Sequence, residues 1–420
     1  MPLSNNSGAL AADIIARPLT LPCGQIIKNR LMKSAMSEAL GTTDNHVTSG
    51  LATLFDRWAR GGAGLLVTGN VMVDRKALGE PNNVAVEDEQ DMALLKAWAG
   101  AGTQHDTQLW MQLNHPGKQA PKGLNTETVA PSPIPFSKPM QRYFPTPREL
   151  TGNEIHGLIE RFGKSAEIAK KAGFTGVQIH GAHGYLVSQF LSPHHNRRTD
   201  EWGGSPENRQ RFVLGIYHRI REGVGADFPV GIKLNSADFQ RGGFTEEESM
   251  AVISALAAEG IDLVEVSGGT YEAPAMSGRK MSQSTREREA YFLTFGEKVR
   301  QQVDVPLAVT GGFRTATVMA DALADNSLDM IGMARPLAVD PEYAARLLRN
   351  ETPAVTIRPI TTGIGFVDKM AMMEVSWYTR QLARMAKGND PRPDESALIS
   401  FIKVMASTVY RIRQTNRLRA

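Results

Sequence analysis

Between Ile179 and Phe212 the chain reads IHGAHGYLVSQFLSPHHNRRTDEWGGSPENRQRF, which places His180, His183 and Tyr185 within one short stretch. A His-x-x-His pair has metal-ligand spacing, as has the neighbouring His194–His195, but no carboxylate stands at a matching spacing and one pair is an incomplete site. Read alone, such a pair favours hydrogen-bonded structural histidines, and Tyr185 a packing aromatic. A second set of reactive types lies in short apolar runs. Strand alternation separates Gln112, His180, Lys233 and Glu265 from their apolar neighbours, so all four are expected to face one interior. Buried polar groups need hydrogen bonds or a ligand. A third signal is AVTGGFRT, where Gly311 and Gly312 follow an apolar run and precede a helix, and IGMARP, which ends the next run with Ala334 and Arg335. Backbone N–H groups at such turns suit a phosphate.

The elements that position these residues alternate. Eight β-rich runs stand out: Leu31–Ala35, Leu65–Gly69, Thr107–Leu113, Gly176–His180, Val230–Leu234, Leu263–Ser267, Pro306–Thr310 and Asp329–Met333. Helical stretches lie between them at Asp91–Gly100, Thr151–Lys171, Glu207–Glu222, Thr245–Ala258, Thr285–Gln301 and Ala316–Ala324. Eight strand–helix units predict a (β/α)₈ TIM barrel, whose sites lie at the C-terminal strand ends, with phosphate commonly after the seventh and eighth strands. No GxGxxG follows a strand, so a Rossmann domain is disfavoured. Residues 115–150 are Pro-rich and read as an insertion over the barrel mouth. The barrel is expected over residues 1–355. Residues 356–420 read as a C-terminal helical extension, with helices over Val367–Lys387 and Ser396–Arg417, packed on the barrel or on a second copy of the chain.

The Ile179–Phe212 run closely resembles the old yellow enzyme family of FMN-dependent ene-reductases, with its His-x-x-His/Asn-Gly-Tyr stretch followed by NxRxDxxGGSxENRxRF. The resemblance extends from about residue 14 to 350. It implies FMN at the barrel mouth and NADPH or NADH as reductant. By position it implies flavin contacts from Ser34, Ala35, Met36, Ser37 and Gly69. Gln112 falls at the pyrimidine edge, Lys233 beside flavin N1 and O2, and Gly311, Gly312, Ala334 and Arg335 at the phosphate. His180 and His183 match the pair that binds the acceptor's oxygen, and Tyr185 the proton donor. Glu265 has no counterpart role. Ser37 stands where family members often carry Cys or Thr. A (β/α)₈ barrel with one pocket for nicotinamide and acceptor in turn implies ping-pong turnover.

Composition excludes several classes. The 420 residues carry 41% apolar side chains, enough for a large core, and 47 basic against 44 acidic residues give only +3. That balance does not call for a nucleic-acid partner. One cysteine, Cys23, excludes internal disulfides, Cys-ligated zinc and iron–sulfur clusters, and suits a reducing, cytoplasmic setting. No signal peptide or membrane span is apparent. The expected partner is a small electron-poor molecule, with a homo-oligomer left open. Two other readings compete: a flavin barrel acting on RNA, like dihydrouridine synthases, which wants a cysteine acid, and a flavin-free aldolase-type barrel using Lys233 as a Schiff-base amine.

Overall fold

A computed structural model describes residues 4–273, 292–351, 360–364, 372–403 and 406. Its centre is a closed ring of eight parallel strands. They are β1 (Leu31–Lys33), β2 (Leu65–Val67), β3 (Gln108–Asn114), β4 (Gly176–Gly181), β5 (Val230–Asn235), β6 (Leu263–Ser267), β7 (Leu307–Thr310) and β8 (Met330–Met333). Each pairs with its successor, and β8 returns to β1 to shut the ring. The eight expected runs all form strands, each shifted by three residues or fewer at an end.

Around the ring lie α1 (Ser4–Ile15), α2 (Ser49–Arg60), α3 (Met92–Gly102), α4 (Gly152–Ala172), the short α5 (Leu186–Leu191), α6 (Pro206–Val224) and α7 (Glu246–Ala258). They continue with α8 (Leu293–Arg300), α9 (Ala316–Ala324), α10 (Arg335–Val339), α11 (Tyr343–Leu348) and α12 (Met372–Met385). Of these, α1, α2, α5, α10 and α11 lie outside the helical stretches expected from the sequence. In α4 and α7, capping boxes at Thr151/Glu154 and Thr245/Glu248 fix the N-termini. Residues 285–291 of the helix expected over Thr285–Gln301 lie outside the described residues. So do 367–371 and most of 404–417 from the expected tail helices, and the 355/356 boundary.

Strand parity divides the core in two. Met32, Leu65, Val67, Trp110, Leu263, Ala308 and Met330 fill the lower barrel, plugged by Leu19, Leu21 and Ile27 from the hairpin pairing Leu19–Thr20 with Ile26–Ile27. Trp110 has room only because β4 and β5 carry glycine beside it. A Cβ on Gly176 or Gly231 would lie 2.5 or 2.7 Å from the indole. The opposite strand faces join the helices in one continuous layer that includes Leu109, Met111, Val177, Ile179, Ile232, Val264 and Ile331. Among the described residues no helix is long and apolar enough to cross a membrane.

The insertion after β3 folds over the C-terminal end of the ring. Its strand pair Val129–Ala130 and Arg148–Glu149 closes it into a loop. Beyond the barrel, α12 buries Leu382 and Met385 in the outer core, so the described tail is packed on the barrel.

Candidate active site

Above the apolar plug the interior turns polar. Gln112 Nε2 donates to Gln178 Oε1 at 2.8 Å, and Gln178 Nε2 donates to Glu265 Oε2 at 2.8 Å. Glu265 Oε1 accepts from Lys233 Nζ at 2.8 Å and from Thr310 Oγ1 at 2.6 Å, while Ser34 Oγ lies 2.7 Å from Thr310 Oγ1. Three of the four inward positions expected from alternation, Gln112, Lys233 and Glu265, are therefore joined through Gln178 in one connected floor with Glu265 as its hub, while His180 stands above it at the rim. Burial alone would raise the Glu265 carboxyl; the facing Lys233 ammonium and its other donors outweigh that and hold it below the usual carboxylate range. An ion-paired Lys233 is a fixed cation, which argues against the Schiff-base reading.

At the rim, β4 delivers the reactive trio. His180 and His183 rings stand 5.2 Å apart, and the Tyr185 ring 4.7 Å from His180. His183 takes φ of 62°, in the left-handed region, with its N–H held by Asn235 Oδ1 at 3.1 Å. This turn swings His183 and Tyr185 back over the mouth. His180 Nδ1 accepts from the Ala182 N–H at 3.3 Å, so the ring proton sits on Nε2. His183 Nε2 lies 2.8 Å from Ser267 Oγ; with the hydroxyl donating, His183 keeps its proton on Nδ1. Burial depresses both imidazoles well below their ordinary value, so both are neutral donors at neutral pH.

Tyr185 Oη meets two partners that sequence spacing did not reveal. Asn70 Nδ2 donates to it at 3.2 Å, and Tyr271 Oη lies 2.9 Å away. The mouth is walled by aromatics: Phe136 and Phe144 of the insertion, 4.8 Å apart, and Tyr271, 6.4 Å from Phe144.

The remaining expected residues fall around the same rim. Ser34 N–H bonds Met333 O at 2.8 Å, joining the β1 and β8 ends. Ala35, Met36 and Ser37 follow, half-buried. The Gly69 N–H is already taken by the Glu38 carboxylate at 2.8 Å, so Gly69 offers close approach rather than a donor. Lys33, pointing outward, is fully buried beneath Glu38. Its ammonium lies 3.6 Å from Glu38 and 4.4 Å from the Trp58 ring, and burial pushes it down to about 8. Neither Lys33 nor Glu38 stood out in the sequence. Gly311 and Gly312 take φ of 119° and 96°, conformations that favour glycine. Ala334 caps α10 and Arg335 begins it, half-buried and paired with no carboxylate among the described residues.

Whether these residues fit FMN is tested by unmet polar atoms. Ser37 Oγ and both amide atoms of Asn114 are buried with no hydrogen-bond partner, at the mouth ends of β1 and β3. Orphans of this kind at a strand C-terminal rim fit a bound polar ring system.

His194 and His195 do find a carboxylate in space, Glu272, with one ligand atom of each within 4.8 Å of the others. Lys118 Nζ lies 3.3 Å from His195 Nδ1 and 3.8 Å from Glu272, so the cluster carries its own cation. Cys23 lies at the far end of the barrel, its N–H on Asp262 Oδ1 at 2.8 Å, and burial pushes its thiol up to about 12. It therefore cannot serve as an acid at the mouth, as the RNA reading requires.

A family model described as NADH:flavin oxidoreductase / NADH oxidase matches residues 15–352. The chain belongs to this family. Among relatives, "NADH-dependent flavin oxidoreductase iccE" of Talaromyces variabilis is 35% identical over 90% of this chain and 99% of its own length. The iliE protein of Hypocrea jecorina, similarly named, is 37% identical over 79% of this chain and 88% of its own. Among solved structures, a 2-naphthoyl-CoA reductase complex superposes with TM-score 0.76 at 25% identity, covering 88% of this chain and 58% of that one. An old yellow enzyme homologue from Zymomonas mobilis gives 0.68 at 22% identity, covering 81% and 94%, a likeness of fold. The chain is thus an enzyme of the NADH:flavin oxidoreductase family, with FMN as its cofactor and a nicotinamide nucleotide as reductant.

The long signature after β4 proves to be mostly scaffolding. Asn196 Nδ2 donates to Phe190 O and Trp202 O, each at 2.8 Å. Arg198 donates to Pro131 O at 3.1 Å and Leu150 O at 2.6 Å and pairs with Asp200. Arg209 bonds Leu191 O at 3.0 Å, Gly204 O at 2.6 Å and Glu248.

Proposed function

We propose that this enzyme oxidises NADH or NADPH and reduces activated alkenes, such as enones, in two half-reactions that use one pocket in turn. The observation that carries the reading is the convergence of two neutral imidazoles and a phenol over a polar floor with one fixed cation. Bound FMN would take a hydride from the nicotinamide and return it to the acceptor. Gln112, Lys233 and the orphaned Asn114 and Ser37 atoms would hold its ring, with Gly311, Gly312, Ala334 and Arg335 at its phosphate. A cation at Lys233 favours the electron-rich form. His180 Nε2–H and His183 Nδ1–H would grip the acceptor's carbonyl oxygen, leaving its β-carbon electron-poor. Tyr185 would give its proton to the α-carbon. Phe136 and Phe144 would keep water from the reacting face. The NADH-dependent names of the fungal relatives favour NADH over NADPH. Anaerobic mixing with NADH should bleach the flavin, and addition of an enone should restore the colour with one saturated ketone formed per NADH. A flavin that bleaches but is reoxidised by no enone, nitroalkene or quinone would remove the alkene assignment.

A further inference from the structure

We propose that Tyr271 is the proton-relay and positioning residue for Tyr185, refilling its proton from solvent. This rests on the alkene reading above. A phenol offers one donor and two acceptor sites. At Tyr185 Oη, Asn70 Nδ2 fills one acceptor site at 3.2 Å, and Tyr271 Oη stands at 2.9 Å. With Tyr271 donating into the second, the hydrogen of Tyr185 is the one left uncommitted, ready for substrate. The reverse arrangement would tie that hydrogen up in the resting state.

The second argument is access. Tyr185 is 7% exposed, whereas Tyr271 is 41% exposed over the residue as a whole, with its hydroxyl turned inward and burial pushing that phenol well up. Tyr271 is thus the bridge between a buried acid and solvent. The rings stand 6.0 Å apart at 69°, so their hydroxyls meet while the rings diverge.

The step balances without any redox change in the protein. The Tyr185 O–H bond breaks and its proton forms a C–H bond at the substrate α-carbon, leaving the electron pair on oxygen. The Tyr271 proton then moves to that oxygen, and a solvent proton restores Tyr271. The groups acting on Tyr185 are Asn70, Tyr271, the His180 ring and the Glu80 carboxyl. Burial and Glu80 push the Tyr185 phenol up, and the hydrogen bonds from Tyr271 and Asn70 pull it back. Loss of the Tyr271 hydroxyl therefore makes Tyr185 a weaker acid.

The test is Tyr271→Phe, which keeps the ring, with the two half-reactions of the FMN-loaded enzyme followed separately across neutral to alkaline pH and in D₂O. The enone step should slow at least about tenfold more than the NADH step, with a larger solvent isotope effect and its alkaline limb displaced upward. Reoxidation by ferricyanide, which needs no proton on carbon, should be affected far less. An enone step at the wild-type rate overturns the relay. So does equal slowing with enone and ferricyanide, which marks a role in shape alone. Wild-type enzyme bleached by NADH yet reoxidised by no enone overturns the alkene reading first, and the relay with it.

Discussion

Tyr185 is a weak acid where it stands, since burial pushes its hydroxyl up to about 12. As the proposed proton donor it could work only where the carbon to be protonated is becoming strongly basic. Tyr185→Phe should slow the enone half-reaction about a hundredfold or more, measured by stopped-flow reoxidation, with much less effect on reduction by NADH. Glu265 invites a different test. Glu265→Gln leaves the Lys233 ammonium buried without its counter-charge, which typically costs about 3–5 kcal/mol. Urea unfolding of the FMN-free protein should show that loss. Glu80 gives a pH signature. Burial raises its carboxyl from 4.5 to about 7, so the native state holds a proton that the unfolded chain releases. Its stabilising contribution is full below 4.5 and lost as pH rises through 7. Glu80→Gln should therefore gain on wild type as pH climbs through that window, by at most about 3 kcal/mol and by less where water reaches this half-buried residue. Equal pH profiles would rule this out. At this scale, alternation exposed Gln112, His180, Lys233 and Glu265 because inward and outward faces differ in polarity. Asn70 and Tyr271 stayed hidden because they meet Tyr185 across 115 and 86 residues. Lys33 misleads for another reason: an outward lysine reads as solvated, yet it is roofed by Trp58 and paired with Glu38.

The insertion works as a lid only while something fixes its ends, and Arg198 does so from the loop after β4. Its guanidinium gathers Pro131 O and Leu150 O, at the two flanks of the segment that carries Phe136 and Phe144. Arg198→Ala leaves two buried carbonyls without donors, a loss of about 2–4 kcal/mol. Limited proteolysis should then cut between residues 131 and 150 well before the barrel opens. Arg198→Lys should protect little better, because an ammonium cannot fork between two carbonyls and Asp200. Unchanged cleavage in Arg198→Ala would show the lid to be held elsewhere. The same scale shows which elements were legible. α7 was found from its capping box and apolar face. α2 was missed although Leu51, Leu54, Phe55 and Trp58 form a clear buried stripe. Its N-cap, Thr48, makes no side-chain cap bond, and GTTDNHVTSG before it reads as a turn-rich loop. The motif after β4 was legible as a family signature, but its division into clamp and chemistry was not, since both use Asn, Arg and Asp.

At the scale of the whole molecule, the described side chains of the helical extension pack on the barrel. Leu382 and Met385 lie in the barrel's outer core, and Ile360, Met373 and Trp377 form a further buried cluster beside it. Thr379 Oγ1 donates to Ser37 O at 3.4 Å, on the segment that follows β1 at the barrel mouth. Arg57 of α2 pairs with Asp390, and Arg380 with Glu395, fastening the chain after α12. Five buried apolar side chains are worth about 7–15 kcal/mol at most, comparable to the whole stability of an ordinary domain. A barrel cut at residue 355 would bare the outer-core surface that Leu382 and Met385 cover and leave the Ser37 segment untethered. Expression of residues 1–355 should therefore yield protein that aggregates or retains little FMN. The full chain should unfold in one transition, with flavin release and loss of helix coinciding on heating. A soluble, yellow fragment that NADH still bleaches would establish the tail as an appendage. In the packing described, the tail reaches the segment after β1 at the barrel mouth, so its removal would act on the mouth through the Thr379–Ser37 contact.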